Sequence, residues 1–424
     1  MGLYVPRIVD AELDELTAGL AAVSIEGPRA VGKTETALRR VGTAHRLDDP
    51  VQLELAAADP KRLTSGEPPI LIDEWQRVPY SWDLVRRAVD EGVEAGRFIL
   101  TGSAAPMQAP SHSGAGRIVT VRMRPLSLSE RGLSDPTVSL AGLLGGTRPN
   151  LSGGTHIGLQ DYTEEVVRSG FPAIRTLPPR LQRAQLDGYI DRIIDHDFTQ
   201  QGRRVRDRRS LRSWMTAYAA AGSTTASFDT IRDAATPGET NKPAKSTIHA
   251  YRRILERLWA IEEVPAWLPT RNRLRRLAAS PSHQLADPAL SARLLGVGAD
   301  ALIAGDDPGP RIPRDGTLLG VLFQSLVTLS VRTYAQANEA RVSHLRTRAG
   351  EHEIDLIVER ADGRVVALEV KLSATINNED TRHIHWLAKQ IGTDLLDAAI
   401  ITTGPEAYRR KDGIGVIPAA LLTA

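Results

Sequence analysis

The sequence predicts an α/β protein in three parts: a nucleotide-binding α/β domain, a mostly helical middle and a second α/β piece. Three observations predict it. Gly27-Pro28-Arg29-Ala30-Val31-Gly32-Lys33-Thr34 matches the G-x-x-x-x-G-K-[ST] phosphate-binding loop in full. Downstream, Ile70-Leu71-Ile72-Asp73-Glu74 is an apolar run ending in two carboxylates. Near the end of the chain, residues 353–358 and 366–371 read as paired strands that carry Asp355, Glu369 and Lys371.

The loop sits in the context its chemistry needs. Ala21, Ala22, Val23, Ser24 and Ile25 read as a buried strand before it, and residues 35–40 continue as a helix. Gly27 and Gly32 let the backbone wrap around phosphate oxygens, so that amide N–H groups and the helix's positive end face the anion. Lys33 adds a charge for the β- and γ-phosphates, and Thr34 offers a hydroxyl to Mg²⁺. Asp73 is expected in the Mg²⁺ shell, and Glu74 is expected to polarise the attacking water. A third strand, Arg97-Phe98-Ile99-Leu100, runs into Thr101-Gly102-Ser103, whose hydroxyls either sense a γ-phosphate or serve ordinary turn chemistry. ATP and Mg²⁺ are the cofactors this set implies.

At 424 residues the chain exceeds what a single core organises. A glycine-rich stretch at 142–158 and a proline-rich one at 305–316 divide it into expected domains at 1–145, 160–300 and 316–424. The absence of cysteine excludes disulfides and thiolate metal sites. Pro6, Arg7, Asp10, Glu12 and Asp14 make the first residues unlike a signal peptide, and no uncharged apolar run approaches membrane-spanning length. The expectation is a soluble, cytoplasmic chain with no membrane partner. With 53 Lys+Arg against 51 Asp+Glu, global charge neither demands nor excludes nucleic acid.

Local charge says more. Arg203, Arg204, Arg206, Arg208, Arg209 and Arg212 precede a helix-turn-helix-like pattern: a short helix at 227–235, a turn at 236–243 and a longer helix at 244–262. Ile248, Tyr251, Leu255 and Leu258 form its core stripe, leaving Lys245, His249, Arg252 and Arg253 elsewhere. In a winged helix these residues meet the major groove and phosphates, so Arg203, Arg204, Lys245, Arg252 and Arg253 are the candidate DNA contacts. The alternatives are a protein-binding surface and a merely solvated face.

The C-terminal strands carry a register argument. With a three-residue loop and Gly363 in its left-handed position, Val358 pairs with Val366, Leu356 with Leu368 and Ile354 with Val370, giving one apolar face. A two-residue loop scatters the carboxylates onto both faces. The three-residue register sets Asp355 opposite Glu369 and Glu353 opposite Lys371. Facing carboxylates are destabilising unless something offsets them. A divalent metal would, with Lys371 beside it to orient or activate water for phosphodiester cleavage. The other reading is a solvated face carrying a Glu353–Lys371 ion pair.

With GPRAVGKT at 27–34, LDDP at 47–50, ILIDEWQRVP at 70–79, FILTGSA at 98–104, GAGR at 114–117, RPLSLSE at 124–130, GFP at 170–172, and EIDLIVE with ALEVK near the end, the chain resembles a group of prokaryotic AAA+ ATPases. In that group a P-loop domain is fused to a winged helix and a C-terminal restriction-endonuclease-like domain of unknown function. The resemblance implies nucleotide contacts from Gly32, Lys33 and Thr34, metal and water roles for Asp73 and Glu74, and a sensor role for Ser103. It implies that Arg117 reaches a γ-phosphate, with a neighbouring subunit of a homo-oligomer as one source. Family members often carry Glu in the helix opening the nuclease-like domain, where this chain has Gln324. An amide cannot replace a carboxylate's charge at a metal. Two function classes follow: a DNA-associated ATPase with or without nuclease activity, and a nucleotide-dependent switch that binds a protein partner, regulating a toxin or an assembly, with an inactive nuclease scaffold.

Overall fold

The first sheet is parallel throughout. In the computed structural model, which describes residues 4–103, 114–198, 207–237, 242–268, 280–312, 316–347 and 350–424, β1 (Ala22–Glu26), β2 (Thr43–Arg46), β3 (Ile70–Asp73), β4 (Phe98–Gly102) and β5 (Val119–Arg122) lie in the order β2-β3-β4-β1-β5. β3 and β4 are covered on both faces and are buried at every position, as their continuous apolar runs require. Because the strands are parallel, their carboxyl ends share one edge, where an α/β sheet builds its sites. The register sets Asp73 beside Thr101 and Glu26 beside Gly102.

The middle is helical. After helices Leu159–Arg168 and Pro179–Arg192 come Arg208–Ala220, Phe228–Ala235 and Lys245–Arg257, followed by extended segments bridged at Ile261↔Leu285 and Val264↔Ser282. The expected stripe of Ile248, Tyr251, Leu255 and Leu258 is buried. The longer helix ends at Arg257, earlier than its pattern suggested, because Trp259 takes φ 57° and the chain turns into the bridged segment.

The second sheet has the order β11-β12-β10-β9-β8-β7, with β7 at Arg341–Arg346, β8 at Glu353–Glu359, β9 at Val365–Lys371, β10 at Leu395–Thr402, β11 at Tyr408–Arg409 and β12 at Gly415–Pro418. Helix Leu318–Ala337 covers one face and helix Arg382–Ile391 the other. The three-residue loop forms: Val358 pairs with Val366, Leu356 with Leu368, Arg360 N–H bonds Arg364 O at 2.9 Å, and Gly363 has φ 85°. The expected Ile354–Val370 pair does not form. The β7–β8 register shifts between Ser343 and Leu345, and Ile354 joins Ile357 and Ala367 in the core under the other face. Val370 N–H instead bonds Asp355 Oδ2 at 2.7 Å, so the side chain replaces the strand partner.

The glycine-rich stretch expected to be a loose boundary is packed. β6 (Val138–Ser139) pairs in parallel with β13 (Leu422–Thr423), Gly154 bridges Glu406, and Arg409 Nη2 donates to Pro149 O at 2.8 Å. Gly153 is there for close approach: a Cβ would lie 2.3 Å from Thr137 Oγ1, and its φ is 126°. Glycine gives no sign in sequence of which of its two uses applies. Residues 137–157 therefore form a strap on the C-terminal sheet.

Helix Leu318–Ala337 is the spine of the molecule. It is long and apolar enough to cross a membrane, yet 83% of its apolar window is buried inside the protein. Its Ser330 Oγ accepts from Leu128 N–H at 3.0 Å, and its Tyr334 OH accepts from Ser129 N–H at 3.0 Å. Three lobes then meet on Glu262. Arg124 donates twice to its carboxylate, at 3.0 and 2.6 Å, and Arg332 of the spine donates to its backbone oxygen at 2.6 Å. Arg122 stands 3.7 Å away and stacks on Trp259 at 3.7 Å from the ring centre. Burial alone would raise the Glu262 pKa, but Arg124, Arg332 and Arg122 outweigh it and hold the carboxyl well below the usual range.

A depressed folded pKa means that Glu262 contributes stability that is fully present above its unfolded value of about 4.3 and lost as pH falls through the folded value. Glu262→Gln leaves the three arginines short of an anion. With the side chain 24% exposed, the cost falls at the low end for a broken buried pair, about 3 kcal/mol. Thermal unfolding checks it: parent and variant differ at pH 7 and converge only well below pH about 4.

Candidate functional site

β1 delivers the chain into the phosphate-binding loop under a tight constraint. A Cβ at Gly27 would lie 2.1 Å from Met123 O, so only glycine lets the loop pass under the end of β5. Gly32 caps helix Lys33–Leu38 at φ 101°, and Ala30 takes φ 64°. Lys33 is 5% exposed and turns Nζ onto the loop's own carbonyls, Gly27 O at 2.9 Å and Pro28 O at 2.8 Å. Burial lowers its pKa to about 8, against the opposing pull of Glu74. Val31 packs in the core beneath the loop.

The two acids diverge. Asp73 is 2% exposed, and its Oδ1 accepts from Thr34 Oγ1 at 2.7 Å and from Thr101 Oγ1. Burial raises its pKa, and the two hydroxyls oppose that rise. Glu74 takes a left-handed backbone, φ 57° and ψ 44°, which swings its carboxylate away from Asp73 to Gln76 Nε2 at 2.5 Å and Ser103 Oγ at 2.9 Å. Lys33, Thr34, Asp73, Glu74 and Ser103 thus gather at the carboxyl ends of β1, β3 and β4.

Residues 21–131 match the AAA domain family. Residues 159–301 and 319–422 match two domains of unknown function, DUF8612 and DUF4143. Uncharacterized proteins of Mycobacterium bovis and Mycobacterium tuberculosis are each 25% identical over 405 residues, spanning 94% of this chain and 80% of theirs. The Walker-type ATPase of Pyrococcus abyssi is 14% identical, with a TM-score of 0.36 over 67% of this chain and 94% of that one.

Residues 21–131, which match the AAA domain family, hold every member of the candidate nucleotide set. Gln76 was missed in the sequence, although it stands two residues beyond Glu74. Arg29 turns outward, 2.9 Å from Asp197 of the middle lobe. Arg117 lies elsewhere: it precedes β5, pairs with Asp90 at 2.8 Å, and sits at the amino ends of the strands, opposite the loop.

The other two candidate sets fare differently. Asp355, Glu369 and Lys371 come together, with Lys371 Nζ 3.2 Å from Glu369 Oε1 and Gln324 Nε2 donating to Asp355 Oδ1 at 2.7 Å. Burial, then Asp355, raises the Glu369 pKa well above its usual value. Glu353 pairs with Arg346 at 3.1 Å rather than with Lys371. Among the described residues, no group of three or more His, Cys, Asp or Glu side chains is arranged to hold a metal. Of the DNA candidates, Lys245 pairs with Asp229 at 2.7 Å, Arg252 pairs with Glu256 and Glu263 at 2.8 Å each, and Arg253 is exposed. Arg203 and Arg204 lie outside the described residues.

The depressed Lys33 pKa gives the loop a pH signature. Only the ammonium form meets phosphate at full strength, so ATP affinity should hold steady up to pH about 8 and then fall roughly tenfold per unit. Titration of ATP at pH 7, 8 and 9 checks this, and Lys33→Arg should flatten the fall.

Proposed function

We propose that this chain is a Mg²⁺-dependent ATPase whose nucleotide state sets the arrangement of a DNA-associated middle domain and a nuclease-like C-terminal domain. The observation that carries the ATPase part is the convergence of Lys33, Thr34, Asp73, Glu74 and Ser103 around one loop. Thr34 Oγ1 and Asp73 Oδ1, 2.7 Å apart, are hard oxygen donors suited to Mg²⁺, which supplies charge neutralisation to the phosphates when bound. Glu74 polarises the attacking water, and Ser103, which also bonds Glu74, contacts the γ-phosphate. Arg117 acts on a neighbouring copy in a homo-oligomer.

Three helices followed by a bridged pair of extended segments follow the order of a winged helix, and exposed Arg253 and His249 stand on its third helix. The nuclease-like part is supported by Asp355, Glu369 and Lys371 meeting where β8 and β9 separate.

A second reading is favoured by one specific feature. Asp355 is bonded by Gln324 and Glu369 is paired with Lys371, so protein groups already meet these charges. On that reading the chain is a nucleotide switch that binds a protein partner over an inactive nuclease scaffold.

Lys33→Ala should abolish tight ATP binding, whereas Glu74→Gln should bind ATP like the parent and hydrolyse it about 100-fold more slowly or worse. ATP titration and phosphate release check both; parent-like behaviour of both variants contradicts the ATPase. DNA binding and cleavage with Mg²⁺ or Mn²⁺, with and without ATP, divides the two readings. Salt-dependent binding supports the first, and binding to protein alone supports the second.

A further inference from the structure

Arg29 reaches out of the phosphate loop to the middle lobe. Its guanidinium lies 2.9 Å from Asp197, the last residue of the π-helical turn Ile193–Asp197 that follows helix Pro179–Arg192. The Asp197 side chain is only 4% exposed, with Arg192 3.8 Å away. Burial raises the Asp197 pKa, Arg29, Arg192 and His196 oppose the rise, and Glu74 of the catalytic strand adds repulsion. A buried anion of the middle lobe therefore rests against the loop that is built to hold phosphate.

A triphosphate in that loop brings several negative charges beside Arg29. The donors that Arg29 turns to Asp197 are then contested by the phosphates. A buried carboxylate stripped of its main partner is costly to keep in place, and the phosphates and Glu74 push it outward. The element carrying Asp197 can yield. A π-helical turn is a one-turn irregularity typical of functional sites, and rewinding it to α shifts the register of its last residue by about 100° around the axis.

We propose that Asp197 is a positioning residue that competes with the phosphates of ATP for Arg29. The proposal rests on the ATP-binding reading above and adds the route by which the middle lobe registers the nucleotide.

The parent must break the Arg29–Asp197 pair before ATP gains Arg29, so removing the carboxylate charge strengthens binding. Titration of ATP into the full-length parent, Asp197→Asn, Asp197→Glu, Arg29→Ala and the Arg29→Ala/Asp197→Asn double variant tests it. Asp197→Asn should bind ATP about tenfold more tightly, Asp197→Glu should match the parent, and the gain should vanish in the Arg29→Ala background. A purely structural role for Asp197 instead gives weaker ATP binding in Asp197→Asn. Unchanged or weaker affinity, or an equal gain without Arg29, overturns the proposal. If the parent itself binds no ATP, the ATP-binding reading falls and the proposal with it.

Discussion

One carboxylate, Glu262, holds three arginines from the two other lobes, and the arrangement of the molecule depends on that pairing. Arg122 and Arg124 come from the end of β5 and the residues just beyond it, and Arg332 comes from the spine helix. Without Glu262 the three cations would be left to repel one another in a largely buried setting. Gln336 ties the same junction further, donating to Glu12 at 2.7 Å and to Arg122 O at 2.9 Å while accepting from Arg124 at 2.7 Å.

The junction and the nucleotide loop share a strand edge. Arg122 lies beside Glu26, the residue before Gly27, and its charge helps to depress the Lys33 pKa. The charge of a bound triphosphate therefore acts on the same arginine that stacks on Trp259 and faces Glu262. The spine extends this contact. Gln324 holds Asp355, and Arg332 stands eight residues further along the same helix, roughly 12 Å at the helical rise. A single rigid element thus touches the three-lobe junction and the acidic cluster of the C-terminal sheet.

Much of this was legible in the sequence, and what was not has a common cause. The loop, the Asp73-Glu74 strand and the Gly363 turn are local patterns whose chemistry is fixed within a few residues. The helix stripe of Ile248, Tyr251, Leu255 and Leu258 follows from periodicity alone. The fate of the charges does not. Lys245 and Arg252 read as candidate phosphate contacts; Glu256, one turn beyond Arg252, lay within periodic reach, whereas Glu263 eleven residues beyond Arg252 and Asp229 sixteen before Lys245 are brought in by tertiary packing. Arg124 and Glu262 are 138 residues apart, beyond any periodic signal. Ile354 changed faces because a bulge breaks the two-residue period on which the register argument rests, and the packing of residues 137–157 was not legible because composition does not separate a flexible glycine from a tightly packed one.

ATP in the first domain is expected to act, through Arg122, on the three-lobe junction. Amide hydrogen exchange of the full chain with and without Mg·ATP decides this. Altered protection is expected at residues 259–263 and 332–336 in addition to the loop at 27–36. Changes confined to the loop and the ends of β1, β3 and β4, with the junction unaffected, would contradict it.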